Sequence, residues 1–331
     1  MSRIGLVLGG GGIVGMAYHG AVLAGIEAAT GWDPRDAEVV VGTSAGSASG
    51  AELRAGVSAG DMAARRAGTP FSLDGERMLV ALGPPPQVRP TEVEVDADRA
   101  RAAFRRLALR SQLDPGSVPP GVLTSVAMSP GNVSASWLTR QVEWLNGGTD
   151  WPERDFWPCA VDLDDGSRAV FGRPGEPAAE PGQAVAASCA IPGVFAPVEI
   201  NGRLYIDGGG WSPTNADVLA DLGLDLVIVV SPMSAVPDCT LERQDFTVRR
   251  ACRSLLVQEA AAVRDSGTPV VIVEPVEADL RVMGRLIGID VLDEGRCDAV
   301  VEQVTASTIA RVRDGSLAGF GKLPVAQLLA A

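Results

Sequence analysis

Short apolar runs alternate with glycine-rich loops and amphipathic segments in the first sixty residues. Residues 4–8 and 38–41 are nearly continuous apolar runs, typical of strands that are buried on both faces. Each run leads through glycines into a segment, 14–29 or 45–59, whose apolar residues recur at helical spacing. Two successive strand, loop and helix units predict an α/β fold with a parallel sheet covered by helices.

The middle of the chain departs from this pattern. Prolines separate two predicted helices, 98–112 and 133–146, within a helical insertion over residues 66–150, which is interpreted either as a lid or as a passive cap. Downstream, the pattern predicts strands at 159–163, 167–171, 198–200, 203–206, 226–230 and 269–273, and helices at 183–189, 245–265 and 294–314.

The chain shows no linker between two independent units. We therefore expect a single domain over residues 1–331, in which residues 234–331 add a strand and helices that pack on the same domain. With 46% hydrophobic residues, the chain can supply a substantial core.

The net charge of −13 argues against a nucleic-acid partner, because phosphate binding requires clustered Lys and Arg. One local exception is the arginine-rich amphipathic segment at 98–110. Its polar face predicts either a solvated helix surface or transient contact with an anionic membrane surface.

Five cysteines, an odd number, are scattered without a C-x-x-C pattern, which predicts buried thiols in a reducing compartment. The first apolar run, 4–8, is too short for a signal peptide or a membrane span. We expect a cytoplasmic protein, with any membrane contact being peripheral.

The segment Gly42-Thr43-Ser44-Ala45-Gly46 has the G-x-S-x-G pattern of a nucleophile elbow, a strained turn that exposes a serine hydroxyl between a strand and a helix. A serine nucleophile needs a base, but the chain has one histidine, His19, and one lysine, Lys322. The sequence therefore predicts a carboxylate base and a Ser-Asp dyad.

The glycines after the first strand allow three interpretations. Gly10, Gly12 and Gly15 match G-x-G-x-x-G, but the next strand ends at Gly42 without the acidic residue of a dinucleotide site, and no lysine follows as in a P-loop. The remaining reading is an oxyanion hole with backbone donors at Gly11 and Gly12, assisted by Ala45, against the alternative of a merely tight turn.

Asp207 is the candidate base, because it ends an apolar strand and precedes Gly208 and Gly209, so that it can reach a hydroxyl with little hindrance. The alternatives are that Asp207 only caps a turn and that His19 is the base. For His19, a structural role is the favoured interpretation.

Together these residues resemble the patatin-like phospholipases. The glycine loop at 10–15, the elbow at 42–46, the Asp207 motif at 207–209 and the segment 187–197 match the family in order. The resemblance covers residues 4 to about 233 and departs from the family at Val14, where many members carry a basic residue.

The resemblance implies a three-layer α/β/α fold with a mainly parallel central sheet, and a serine lipid acyl hydrolase that forms an acyl-enzyme. It implies a lipid or fatty acyl ester as substrate, and neither a metal nor an organic cofactor. Two alternatives stay open at this point: a catalytically weak or silent lipid-binding scaffold, and an acyltransferase that uses the same acyl-enzyme.

Overall fold

The computed structural model describes residues 2–87, 97–114, 116–239, 243–286 and 289–317. Its strands are β1 (Ile4–Leu8), β2 (Val39–Thr43), β3 (Asp155–Asp162), β4 (Arg168–Val170), β5 (Val198–Ile200), β6 (Arg203–Asp207), β7 (Leu226–Val230) and β8 (Val270–Val273). Its α-helices are α1 (Gly12–Thr30), α2 (Ala45–Arg54), α3 (Ala59–Ala67), α4 (Leu73–Leu82), α5 (Ala97–Leu113), α6 (Pro120–Ala127), α7 (Ser136–Asn146), α8 (Pro181–Ser188), α9 (Arg243–Asp265), α10 (Glu277–Met283) and α11 (Cys297–Arg313).

The strands form one sheet in the order β5-β6-β3-β2-β1-β7-β8, with β4 beside β3. Strands β3, β2, β1, β7 and β8 are parallel to their neighbours in this run. Antiparallel pairing is confined to β4, β5 and β6 at the β3 side. The predicted mainly parallel sheet is thus confirmed.

Alternate residues of the central strands enter two separate cores. Leu8 and Ile228 belong to a core that also includes side chains of α1 and α11. Val7 and Val229 belong to the opposite core, which is closed by Leu256 and other residues of α9. Burial on both faces explains why these strands are continuous apolar runs, and it confirms the predicted three-layer α/β/α arrangement.

Helix α1 is long and strongly apolar. It is 19 residues long and, by length and composition alone, is apolar enough to cross a membrane, but 61% of its apolar window is buried inside the protein. It ends at Gly31, which has a left-handed φ of 78° and donates its N–H to the Glu27 carbonyl. Core helices of globular proteins have the same length and composition.

Two predictions about helices are corrected. The helix predicted over 45–59 stops at Arg54, and α3 begins at Ala59, because the chain turns at Gly56, whose φ is 97°. Residues 66–150 hold four helices after α3, from α4 to α7, where the pattern predicts two. Residues 88–96 and 115 of this segment lie outside the described part, and its role as a lid stays a prediction.

The arginine-rich helix α5 turns its apolar face inward. Phe104 and Leu107 pack against Val161 of β3 and Ile206 of β6. On the other face, Arg99 donates to Glu199 at 2.7 Å. The helix also exposes Leu109 and Leu113, which are 54% and 78% exposed, and its contact with a membrane stays a prediction.

The C-terminal segment extends the same sheet, because β8 pairs with β7. Helix α10 is an addition that the pattern does not predict, since seven residues are too few to show a helical period. Residues 318–331, including Lys322, lie outside the described residues, and the division into domains stays a prediction.

Candidate active site

Ser44 lies in a strained turn between β2 and α2. Its φ of 53° and ψ of −121° are rare for a residue with a side chain. The turn needs the glycines around it: a Cβ at Gly46 would lie 1.8 Å from the Leu8 carbonyl oxygen, and one at Gly42 would lie 2.5 Å from the Ser47 Cα. These close approaches explain the G-x-S-x-G spacing.

The glycine loop runs beside this turn, because β1 and β2 are parallel neighbours whose carboxyl ends meet at one edge. A Cβ at Gly10 would lie 3.6 Å from the Ser44 Cβ, and one at Gly15 would lie 3.8 Å from the Ala45 Cβ. The two helices that follow the loops therefore start close together. Gly12, with a φ of 63°, is in the left-handed region that favours glycine.

The backbone N–H groups of the loop divide into two sets. The Gly10 N–H donates to the Pro213 carbonyl at 2.8 Å, and the Gly15 N–H donates to the Gly11 carbonyl at 2.8 Å, so both are committed to the fold. Gly12 and Ala45 are the first residues of α1 and α2, where no helix carbonyl can accept their N–H groups. Gly11 is the N-cap residue of α1.

Asp207 reaches Ser44 across the sheet. Asp207 ends β6 and pairs with Ala160 of β3, and β3 in turn pairs with β2, so that Cys159 lies beside Thr43. The Gly209 N–H donates to Asp207 Oδ1 at 2.7 Å, whereas the buried Oδ2 has no hydrogen-bond partner among the described residues. The structure thus brings the two residues of the predicted dyad together, with one carboxylate oxygen uncommitted.

Burial is the main influence on the Asp207 carboxyl. Desolvation raises the pKa of Asp207 from 3.8 to about 6, while the nearby Ser44 hydroxyl and the Gly209 N–H lower it. Both side chains are largely shielded from solvent, with 8% of Ser44 and 6% of Asp207 exposed. An aspartate with a pKa near 6 is a stronger base than an exposed one and is still mostly ionised at neutral pH.

Two neighbours of the elbow are not among the sequence-predicted site residues. Ser188 Oγ accepts the Ser44 N–H at 3.0 Å, and Cys189 Sγ donates to the Ser44 carbonyl at 3.2 Å. The Ser47 hydroxyl donates to the same carbonyl at 2.7 Å. The segment 187–197 belongs to the family resemblance, but sequence spacing gives no sign that its side chains hold the backbone of Ser44.

Burial makes His19 a poor proton carrier. It is fully buried, and its Nδ1 lies 3.0 Å from Ser49 Oγ. Burial lowers the pKa of His19 to about 3, so that the ring stays neutral at neutral pH. The position supports the structural interpretation of His19, and Lys322 lies outside the described residues.

The cysteines and the acidic residues are the remaining groups that could bind a metal or form a disulfide. All five cysteines are free, and burial raises the pKa of the Cys189 thiol to about 12, with the Asp207 charge adding to the effect. Within the described ranges, no group of three or more His, Cys, Asp or Glu side chains is arranged to hold a metal ion.

Comparison with known proteins places these residues in a family context. The family model described as Patatin-like phospholipase matches residues 6–220. Uncharacterized NTE family proteins from Mycobacterium tuberculosis and Mycobacterium bovis are 37% identical over 90 residues, which is 25% of this chain and 25% of each relative. The matched segment thus spans a quarter of the length of these curated relatives.

Two solved structures are also similar. The crystal structure of VipD from Legionella pneumophila aligns with a TM-score of 0.39 and 14% identity, covering 93% of this chain and 67% of that one. Human GIVD cytosolic phospholipase A2 aligns with a TM-score of 0.42 and 12% identity, covering 99% of this chain and 60% of that one.

Proposed function

The chain belongs to the patatin-like phospholipase family, and from this premise we propose that it is a lipid acyl hydrolase that uses Ser44 as nucleophile and Asp207 as base. The observation that supports the proposal is the proximity of the Ser44 hydroxyl to the buried Asp207 carboxyl group, whose pKa it lowers. A carboxylate in that position can accept the hydroxyl proton as the oxygen attacks an ester.

In the first half of the proposed reaction, Ser44 Oγ bonds to the ester carbonyl carbon and its proton passes to Asp207. The carbonyl π electrons move to the oxygen, which becomes an oxyanion. The N–H groups of Gly11, Gly12 and Ala45 would stabilise this charge. When the tetrahedral intermediate collapses, the ester C–O bond breaks, and the leaving alcohol takes the proton from Asp207.

In the second half, a water molecule gives a proton to Asp207 and attacks the acyl-enzyme carbonyl. The bond to Ser44 Oγ then breaks, the serine oxygen recovers the proton, and a fatty acid is released. Gly10 and Gly15 contribute to this scheme by holding the loop, since their N–H groups already donate within the fold. Gly208, like Gly42 and Gly46, contributes by close packing: a Cβ there would lie 2.2 Å from the Cys159 carbonyl oxygen.

The test is hydrolysis of a medium-chain p-nitrophenyl ester by wild type, Ser44→Ala and Asp207→Asn, with Ser111→Ala in α5 as a matched control away from the site. We expect both site variants to lose activity and the control to keep it, with unchanged circular dichroism spectra. Covalent labelling of wild type by a fluorophosphonate probe, absent in Ser44→Ala, is the second expected result.

Three outcomes would contradict the proposal. Full activity in either site variant would remove that residue from the mechanism. An inactive wild type that the probe does not label would favour a lipid-binding scaffold. If added alcohol captured most of the acyl group instead of water, the chain would be an acyltransferase that uses the same acyl-enzyme.

A further inference from the structure

Two cavities share lining residues, and the smaller of them borders α2 near Ser44. The smaller, about 240 Å³, is bordered by Ile13, which follows Gly12, and by Ala48, whose N–H donates to the Ser44 carbonyl at 3.3 Å. Apolar side chains of α1 and α7, including Met16 and Leu138, form one part of its wall, and charged side chains such as Glu52 form another. This cavity therefore begins one helical turn from the proposed nucleophile.

The larger cavity, about 780 Å³, lies under α4, past the far end of α2. Val57, Met78 and Leu79 are among its apolar lining residues. Arg65 and Leu145 line both cavities, so the two spaces meet at these side chains. The larger volume falls within the range of about 300 to 1,000 Å³ that is typical of ligand pockets.

Helix α4 covers the larger cavity and is hydrogen-bonded to the rest of the fold at both of its ends. At its start, the Ser72 N–H and hydroxyl donate to Asp61 at 2.7 and 2.8 Å. At its end, Trp144 Nε1 donates to the Leu82 carbonyl at 3.2 Å. No residue of α4 is fully buried, so the helix borders the larger cavity and does not fill it.

The polar groups around the larger cavity already have partners. Asp61 also accepts from the Ser58 hydroxyl at 2.7 Å, and Arg35 pairs with Asp33 at 2.6 Å. Such satisfied groups give little to a polar ligand, whereas the apolar walls favour a hydrocarbon.

The boundary between the cavities is an ion pair that can open. Glu52 is 3% exposed and pairs with Arg65 at 3.2 Å and with Arg66 at 2.8 Å. If the Arg65 side chain swings aside, Glu52 keeps Arg66, so no buried carboxylate is left without a partner. A chain can thus pass Arg65 without the large cost of an isolated buried charge.

The length of α2 sets the chain length that reaches the larger cavity. Its 10 residues span about 15 Å at 1.5 Å per residue. An extended hydrocarbon advances about 1.3 Å per methylene, given C–C bonds near 1.52 Å. Chains of roughly twelve or more carbons attached at Ser44 would therefore extend past the far end of α2, and so past Arg65, which pairs with Glu52 of that helix; much shorter chains would end in the smaller cavity.

We propose that the cavity under α4 binds the distal part of a long linear acyl chain whose carbonyl carbon lies at Ser44. This inference rests on the proposed function and narrows the substrate to long-chain acyl esters. Arg65 marks the boundary that the chain crosses.

The test compares Met78→Trp, which fills the cavity, with Leu73→Trp, which adds the same ring to α4 at a position that is 73% exposed. For Met78→Trp we expect kcat/KM for p-nitrophenyl palmitate to fall about tenfold or more, since one lost methylene contact in an apolar pocket already has about that effect. Both variants should keep wild-type kcat/KM for the butyrate ester. Thermal unfolding of each variant confirms that it folds.

Equal effects of Met78→Trp on both esters, or no effect on either, would overturn the inference while the hydrolase proposal stood. If the wild type hydrolysed neither ester, the hydrolase proposal would fail instead. Calorimetry of palmitate binding to Ser44→Ala then decides the matter without catalysis. Binding that Met78→Trp weakens about tenfold and Leu73→Trp does not would support the cavity site; absence of binding, or equal binding by all three, would refute it.

Discussion

Replacing Asp207 by asparagine should inactivate the protein and, at the same time, make its stability relative to wild type increase as the pH rises. The carboxyl is buried, and its pKa rises from 3.8 to about 6. A raised native pKa means that the folded state binds the proton more tightly than the unfolded state. The stability that this proton provides is complete below pH 3.8 and is lost as the pH rises through 6.

The size of the effect follows from the shift in pKa. About two pKa units at 1.36 kcal/mol each give roughly 3 kcal/mol of destabilisation by the ionised Asp207 at pH 8. Asparagine cannot ionise, and its Oδ1 can keep the bond from the Gly209 N–H, so it avoids this cost. Its buried amide N–H groups introduce a separate penalty of about 1 to 3 kcal/mol if they lack acceptors, but that penalty does not depend on pH.

The experiment therefore measures the difference in unfolding free energy between Asp207→Asn and wild type. The informative result is how this difference changes with pH. We expect this difference to shift by about 2 to 3 kcal/mol in favour of the variant between pH 4 and pH 8. Urea titrations followed by circular dichroism measure it, with the exposed Asp150→Asn as control. The same difference at both pH values would refute the burial of the Asp207 carboxyl and, with it, its raised basicity.

Three further predictions concern the rest of the site. Gly46→Ala should prevent folding, because its Cβ would lie 1.8 Å from the Leu8 carbonyl oxygen; soluble, folded protein in an expression trial would contradict the elbow geometry. Ser188→Ala leaves the buried Ser44 N–H without its acceptor, so we expect a loss of about 1 to 3 kcal/mol in stability and a lower kcat at similar KM; unchanged urea midpoint and kinetics would remove Ser188 from a positioning role. His19→Gln should keep a kcat/KM profile that rises with a midpoint near pH 6, the pKa of Asp207, and lose mainly thermal stability; a displaced midpoint would implicate the histidine in proton transfer.

Local backbone requirements made a large part of this protein predictable. Strands β1, β2 and β7 are buried along their whole length and almost entirely apolar, because parallel strands in the middle of a sheet are covered on both faces. Gly42 and Gly46 are needed because other atoms approach them too closely for a side chain. Such demands act residue by residue and are therefore visible in the chain itself.

The helical segment after α2 was less predictable, for an equally physical reason. Helix α4 has no buried residue, so its sequence lacks a strong apolar stripe, and α10 is only seven residues long. Short helices and helices that cover a cavity are stabilised by contacts at their ends, such as the Ser72 bonds to Asp61, which periodicity does not report.

From the sequence alone came the α/β class, the two strand, loop and helix units, and Ser44 and Asp207 as the candidate pair. Only the tertiary structure decided that Asp207 Oδ2 is uncommitted, that Ser188 holds the Ser44 backbone from 144 residues away, and that two cavities follow α2. The reason is that a nucleophile's local turn is encoded by its immediate neighbours, whereas desolvation, long-range hydrogen bonds and empty volume arise from segments that meet only after folding.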